Sequence, residues 1–293
     1  MKINDLTSNF FSFYESHQPL TTHNLKGLFS EYPDVYERYF PQHCPLTDER
    51  LNAAIDKYPA VMDEMKKASH RLPEIIKEVN ATYTSTYHFN HDLQFHLFIG
   101  SFGSNAFVEA KVAGDIFFAI EKLSAKEEHM KVIAAHEIGH VYHNVISGEE
   151  GIDWRNIDWM HGMTTLYREG VATYLSKRIV ENVDEPVYFS YNDEGIGWYA
   201  FAEKNRHSII KAFQEDTIGQ WNMEKEREWF RLSGGNRFGY NRLGYYIGTL
   251  FVEHLVNELG EREALTLWAS NSLHSRIEDW LDEQIHLSQK VNN

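Results

Sequence analysis

Residues 127–148 read EEHMKVIAAHEIGHVYHNVISG, and this stretch has the clearest helical pattern in the chain. Its apolar residues recur at the spacing of one helix face: Met130, Ile133, Ala134, Ile138 and Val141. At its start, Ser124 and Glu127 match the pattern of a capping box, in which each side chain would satisfy the other residue's backbone N–H. Gly148 is a natural helix stop. The sequence therefore predicts a well-defined helix from about Ser124 to Gly148.

This predicted helix carries the motif His136-Glu137-Ile138-Gly139-His140. Histidines at positions i and i+4 project from one helix face, so both imidazoles can reach a single zinc ion. The glutamate beside the first histidine then lies next to the metal, where it can take a proton from a water molecule. The motif therefore predicts His136 and His140 as zinc ligands and Glu137 as a general base.

Three short segments before the helix predict β-strands, at residues 93–100, 105–112 and 116–120. Apolar and polar residues partly alternate in the first two, the third is an apolar run, and Gly, Ser, Asn and Asp mark the turns between them. Because the three strands follow one another closely, they predict a small, mostly antiparallel sheet. Together with the helices, this sheet predicts an α+β fold.

The remainder of the chain has helical patterns. We expect the first 80 or so residues to be helical, with an N-cap at Thr47 or Asp48. In the stretch 47–83 we expect Pro59 and Pro73 to break the pattern into shorter helices. After residue 181 the chain again predicts helices, joined by connections rich in aromatic residues.

Tetrahedral zinc needs a third protein ligand and an open position for water. We predict Glu169 as that ligand, on a helix over residues 164–180 that a glycine-containing loop folds back against the first helix. Gly170 and Ala172 are small, so they would let the two helices approach closely. Three alternatives in the intervening loop stay open: Asp153, Asp158 and His161. The alternative interpretation of Glu169 is a buried partner of Arg168 or of a helix N-terminus. The interpretation of His143 is a residue behind the ligands or on the surface.

The motif 136–140 and the segment Tyr167-Arg168-Glu169-Gly170-Val171-Ala172-Thr173-Tyr174 together resemble the gluzincin metallopeptidases. Within these enzymes, the chain looks like a bacterial family of predicted zinc-dependent proteases. The resemblance covers roughly residues 93–255. Two features depart from the thermolysin-like pattern: the loop before Glu169 is longer, and the Asn-Glu pair is replaced by Arg-Glu.

The resemblance implies a zincin-like catalytic core at residues 86–180, in which a small sheet and the HExxH helix combine. A helical N-terminal region would occupy residues 1–85, and a helical subdomain that closes the cleft would occupy residues 181–293. In such enzymes an edge strand pairs with the extended substrate backbone. Residues 106–108 or 116–118 are the candidates, although both also suit plain core strands.

A donor for the oxyanion of the tetrahedral intermediate is expected near the metal. The segment Arg242-Leu243-Gly244-Tyr245-Tyr246-Ile247-Gly248 lies on a helix predicted for residues 241–259 and offers two tyrosines. Tyr245 and Tyr246 point about 100° apart on a helix, so at most one faces the metal. Both also suit core positions, and Arg242 and His254 are weaker candidates for the same role.

Composition narrows the class of protein. The chain has 293 residues, of which 42% are hydrophobic and 14% aromatic, and this excludes a disordered chain. Its net charge of -15 repels phosphates and anionic membranes, so we expect neither nucleic acid nor a membrane as partner. The single cysteine, Cys44, excludes an internal disulfide. No apolar stretch is long enough to span a membrane, and the N-terminus lacks a signal-peptide pattern, so we expect a cytoplasmic protein.

Taken together, these observations predict a zinc metallopeptidase that hydrolyses peptide bonds in a peptide or protein substrate. Two alternatives stay open. One is a non-catalytic helical binding protein with a vestigial or coincidental HExxH motif, and the other is a zinc hydrolase that acts on a different bond.

Overall fold

The computed structural model describes residues 1–109, 114–270 and 272–291, without the side chains of residues 288–291. The first elements are β1 (Lys2–Asp5), α1 (Thr7–Ser16), α2 (Thr22–Ser30), α3 (Pro33–His43), α4 (Asp48–Tyr87), β2 (Gln94–Phe98), β3 (Ala106–Val108) and β4 (Asp115–Ala119). They are followed by α5 (Glu127–Glu149), α6 (Gly162–Ile179), α7 (Val187–Ser190), α8 (Gly195–Lys204), α9 (Arg206–Ile218), α10 (Met223–Phe230), α11 (Leu243–Leu259), α12 (Glu261–Leu265) and α13 (Leu273–Val291). The protein is thus helix-rich with one small sheet, which is an α+β fold.

The sheet has four strands in the order β1-β2-β4-β3. β1 and β4 both run parallel to β2, and β3 alone is antiparallel to its neighbour β4. The prediction of a mostly antiparallel sheet is therefore wrong. The chain passes from β2 to the far edge at β3 and returns between them as β4, which makes β2 and β4 parallel. β1, within a region expected to be helical, adds the second parallel pair.

The strand order also decides which candidate for substrate pairing is an edge strand. β3 contains residues 106–108 and lies at the edge of the sheet. Residues 116–118 belong to β4, which bonds to β2 on one side and to β3 on the other, so they are excluded as an edge. The second predicted strand extended to residue 112, but positions 110–112 lie outside the described residues.

α4 is one continuous helix of 40 residues, so the prediction that Pro59 and Pro73 divide it is wrong. Its N-cap is Thr47, one of the two residues expected to cap it, and the Thr47 side chain accepts the N–H of Arg50. A proline in a helix interior costs about 3 kcal/mol. Each large apolar side chain that is buried stabilises the fold by about 1.5–3 kcal/mol. Because buried residues continue on both sides of both prolines, packing outweighs the two local penalties.

The chain divides into two compact units, Met1–Glu137 and Ile138–Asn293, and the division falls inside α5. The organisation into regions 1–85, 86–180 and 181–293 stays a prediction. None of the helices within the described residues is sufficiently long and apolar to cross a membrane.

In the first unit, the loop that leads into β3 is held by buried side chains. The Glu121 carboxylate accepts the backbone N–H groups of Gly100 and Phe102 at 2.8 and 3.0 Å. Burial raises the pKa of this carboxyl group, while the two backbone bonds lower it. The Tyr39 hydroxyl accepts two further N–H groups of the loop, at 3.2 and 2.8 Å. The position of the edge strand therefore depends on polar contacts from the core.

In the second unit, α6 and α11 touch backbone to backbone. A Cβ atom added at Gly170 would lie 2.3 Å from the Gly248 carbonyl oxygen, and one added at Gly248 would lie 2.2 Å from that of Leu166. Gly170 therefore serves the contact with α11, whereas the sequence suggested a contact with α5. Gly248 packs against the helix of the predicted third ligand as expected, while Gly244 meets the ring of Phe230 on α10.

We expect Gly248→Ala to lower the free energy of unfolding by about 1–3 kcal/mol, because its Cβ has no room against backbone atoms. Gly148→Ala is the matched control in α5, since a Cβ there meets no atom within 4 Å. It should be neutral or stabilise the protein by up to about 1 kcal/mol. Thermal unfolding of the two variants measures the difference, and equal melting temperatures would contradict the close helix contact.

Candidate metal centre

α5 carries the two histidines of the HExxH motif one turn apart. His136 is 2% exposed and His140 is 9% exposed, and Glu137 between them is 6% exposed. The Tyr83 hydroxyl of α4 donates a 2.7 Å hydrogen bond to the carbonyl oxygen of Ala135, just before the motif. The helix begins at Glu127, and Ser124 accepts the N–H of Lys126 at 3.2 Å. The predicted helix thus exists, with its start within three residues of the expected position.

α6 brings Glu169 to these histidines. The Glu169 Oε2 atom lies 3.4 Å from His140 Nε2. One potential ligand atom from each of His136, His140 and Glu169 lies within 4.8 Å of the others. The three residues singled out by the sequence are therefore adjacent in space: His136 is buried, and His140 and Glu169 are largely but not completely buried.

The position of α6 is set by bonds close to Glu169. The Tyr167 hydroxyl donates to the carbonyl oxygen of Ala264 at 2.7 Å and accepts the N–H of Leu267 at 3.0 Å. At the start of the helix, the Trp221 ring packs on Gly162, where an added Cβ would lie only 2.3 Å from it. These contacts fix the position of α6 at its start and two residues before Glu169.

His143 lies behind the ligand group and is not exposed. Its ring stacks on Trp268 with centroids 4.1 Å apart, and it meets the Tyr167 ring edge to face at 5.2 Å. Burial lowers the pKa of His143 well below its ordinary value, and the nearby His140 and Arg168 lower it further. His143 is therefore an uncharged residue packed inside the fold at neutral pH. The interpretation of His143 as a surface residue is excluded.

The three alternative ligands in the loop have other partners. Asp153 accepts the N–H of Arg155 and pairs with its guanidinium at 2.8 Å. Asp158 is exposed and accepts the N–H of Met160. His161 caps α6 by accepting the N–H of Met163 at 3.2 Å. Within the described residues, none of the three belongs to the donor group around His140.

The two tyrosines of α11 have different surroundings. Tyr246 is buried and its hydroxyl donates to the Glu203 carboxylate. Burial raises the pKa of this hydroxyl far above its ordinary value, and the bond to Glu203 raises it further. Tyr245 is only half-buried, and the Arg242 guanidinium lies 5.0 Å from the centre of its ring. Of the weaker candidates, His254 pairs with Glu258 at 3.5 Å and Arg242 donates to the carbonyl oxygen of Phe189.

Sequence reasoning did not single out Glu226 on α10, which is buried near the ligand helix. Its carboxylate contacts Thr165, which precedes Glu169 by one helical turn. The available signal was the spacing: Glu226, Trp229 and Phe230 occupy positions i, i+3 and i+4, so a carboxylate sits on the apolar face of a short helix. A charged residue at such a position indicates a polar environment inside the fold.

The donor set suits zinc. Two imidazole nitrogens and one carboxylate oxygen are the ligands of a large class of zinc hydrolases, which leave a further position open for water. The structure brings donors of these types together, and a buried glutamate, Glu137, follows the first histidine. Fold and site together thus define an α+β protein with the donor set of a zinc-dependent hydrolase.

The chain belongs to the family described as "Putative zinc dependent peptidase (DUF5700)", which matches residues 8–271. The match includes all three donors and the elements from α2 to α12. No curated protein and no solved structure matches the chain.

Proposed function

We propose that the protein is a zinc-dependent peptidase of gluzincin type, built on a zincin-like core. The observation that carries this proposal is the grouping of His136, His140 and Glu169, whose ligand atoms lie within 4.8 Å of one another. In this proposal the three residues hold the metal. The family description names the same metal and the same class of substrate.

When bound, zinc would supply Lewis-acid polarisation of the scissile carbonyl and lower the pKa of a water molecule. Glu137 accepts the proton of the attacking water and then delivers it to the leaving amine. At 6% exposure its carboxylate is shielded from bulk water, which strengthens its electrostatic interactions with the reacting groups. His136 and His140 act as neutral ligands and take no part in the proton transfer.

Tyr245 and Tyr246 are the two candidates for stabilising the oxyanion. The Tyr246 hydroxyl already donates to Glu203 in a buried position, so it would have to break that bond to reach a substrate. Tyr245 is half-buried and lies under the positive charge of Arg242, which favours donation to an anionic oxygen. The substrate is a peptide in extended conformation, and β3 is the candidate strand for pairing with its backbone.

The experiment that tests the ligand set compares Glu169 with its alternatives from the loop. Zinc held by two imidazoles alone is under-coordinated, so we expect Glu169→Ala to lose zinc affinity steeply while its helix stays folded. His161→Ala and Asp158→Ala should keep normal zinc affinity, because Asp158 accepts a backbone N–H in the loop and His161 accepts one at the start of α6. Competition with a zinc chelator, with circular dichroism as a check of folding, measures the affinities. Normal affinity in Glu169→Ala, with a loss in either loop variant, would overturn the gluzincin assignment.

A digest of a peptide library tests the reaction itself. The purified protein should cleave peptides when loaded with zinc, stop when zinc is removed by a chelator, and resume when zinc is returned. Cleavage of no peptide by a zinc-loaded protein would favour the hydrolysis of another bond. Absence of zinc binding altogether would favour a non-catalytic binding protein.

A further inference from the structure

Glu226 is a buried carboxylate for which the proposed reaction has no use. It lies on α10 and is only 8% exposed. Burying a carboxylate is costly unless it is paired, so such a side chain needs compensating partners. Burial raises its pKa, with a further rise from the charge of Glu169, while Arg231 lowers it. A cation bound nearby would lower it in the same way and favour the ionised form.

The position of Glu226 connects it to the candidate metal centre. Its Oε2 atom accepts the hydroxyl of Thr165 at 3.4 Å. Thr165 and Glu169 are four residues apart on α6 and therefore share one helix face, with about 5–6 Å between their Cβ atoms. Glu226 thus lies over the face of α6 that carries the predicted third ligand, within one helical turn of it.

The partners of Glu226 are all loosely bound. Besides Thr165, Trp221 Nε1 donates to it from 3.3 Å, and the Arg231 guanidinium lies 3.5 Å away. Hydrogen bonds between charged groups are normally 2.7–2.9 Å long. The Arg231 side chain is moreover 58% exposed, so its charge is largely solvated. A guanidinium held in this way is easily displaced by a better-placed cation.

We propose that Glu226 determines substrate specificity by binding a positively charged ammonium group of the peptide, and that Arg231 occupies this position when no substrate is bound. The proposal rests on the peptidase function proposed above. The ammonium group can be the N-terminal amine of the peptide or a lysine side chain, since both present the same chemistry to a carboxylate.

The test measures binding in a Glu137→Gln background loaded with zinc, so that no turnover is needed. Calorimetry compares one peptide with a free and with an acetylated N-terminus, and a second pair with lysine or norleucine at an internal position. In one of the two pairs, we expect the charged peptide to bind at least about tenfold more tightly than its neutral partner. This factor corresponds to the free energy of a hydrogen bond to a charged group. The pair that shows the preference identifies the source of the ammonium group.

Variants of the pair separate recognition from a structural role. Glu226→Gln keeps an oxygen for Thr165 and Trp221 but removes the charge, so the preference for the charged peptide should disappear. Arg231→Gln removes the competing cation, so binding of the charged peptide should become tighter. Opposite effects of the two variants are the signature of competition, because a purely structural ion pair would weaken binding in both. Glu224→Gln, an exposed change on the same helix, should leave the affinities unchanged.

Two outcomes would overturn the proposal: equal affinity for the charged and neutral members of both peptide pairs, or loss of binding in both Glu226→Gln and Arg231→Gln. The peptidase function has its own test in the wild-type protein. A charge preference that depends on Glu226, together with no cleavage of any peptide, would contradict the peptidase and leave the cation subsite standing. Cleavage without a charge preference would contradict the cation subsite and leave the peptidase function standing.

Discussion

Zinc-loaded Glu137→Gln should retain its metal and lose peptidase activity by a factor of about 10²–10⁴, the usual contribution of a general base. The amide has nearly the same shape as the carboxylate but cannot accept a proton from water. Because the two side chains have nearly the same shape and Glu137 lies on a continuous helix, we expect the two histidines to keep their positions. The rate is measured with a peptide found in the library digest, and zinc by metal analysis of the same sample.

Glu149→Gln is the matched control for this substitution. Glu149 is the exposed last residue of the same helix, so its variant should keep both zinc and the full rate. Undiminished turnover in Glu137→Gln would exclude Glu137 as the base. Loss of zinc in that variant would place the residue among the ligands instead.

The second large effect concerns the metal. Protein purified without chelators should contain about one zinc per chain, and His136→Ala and His140→Ala should each weaken zinc binding by more than about 100-fold. Changing a partner that only orients a ligand already costs 10–100-fold, so removing the ligand itself should cost more. Competition with a chromophoric chelator measures the affinity, and circular dichroism shows whether the helices remain.

His70→Ala is the control for the loss of a histidine, since His70 is an exposed residue of α4. Its variant should bind zinc as the wild type does. Retention of normal zinc affinity by both His136→Ala and His140→Ala would place the metal elsewhere in the chain and would contradict the assigned site.

Helices with strong local signals were predicted closely. The helix expected over residues 164–180 is α6, Gly162–Ile179, and the one expected over residues 241–259 is α11, Leu243–Leu259. The strands expected at residues 93–100 and 116–120 are β2 and β4. In these segments the apolar period and the flanking turn residues indicate the same element, and this element is also the one that the tertiary packing favours.

Segments whose state depends on distant partners were predicted poorly. β1, Lys2–Asp5, is only four residues long, and it is a strand because it bonds to β2, some 90 positions away along the chain. α4 continues through its two prolines because the residues on both sides are buried. Local propensity is weaker than such packing, and a short window of sequence contains no information about the partner.

The candidate site divides in the same way. The sequence predicts that His136, Glu137 and His140 lie together, because a helix repeats every 3.6 residues and brings positions i and i+4 to one face. It named Glu169 but left Asp153, Asp158 and His161 open, since the path of a loop cannot be read from its composition. The tertiary structure alone shows which of these side chains lies beside the histidines: the Glu169 carboxylate is 3.4 Å from His140. The physical reason is the packing of α6, whose Gly170 meets Gly248 of α11 without intervening side chains and so holds the helix at one position.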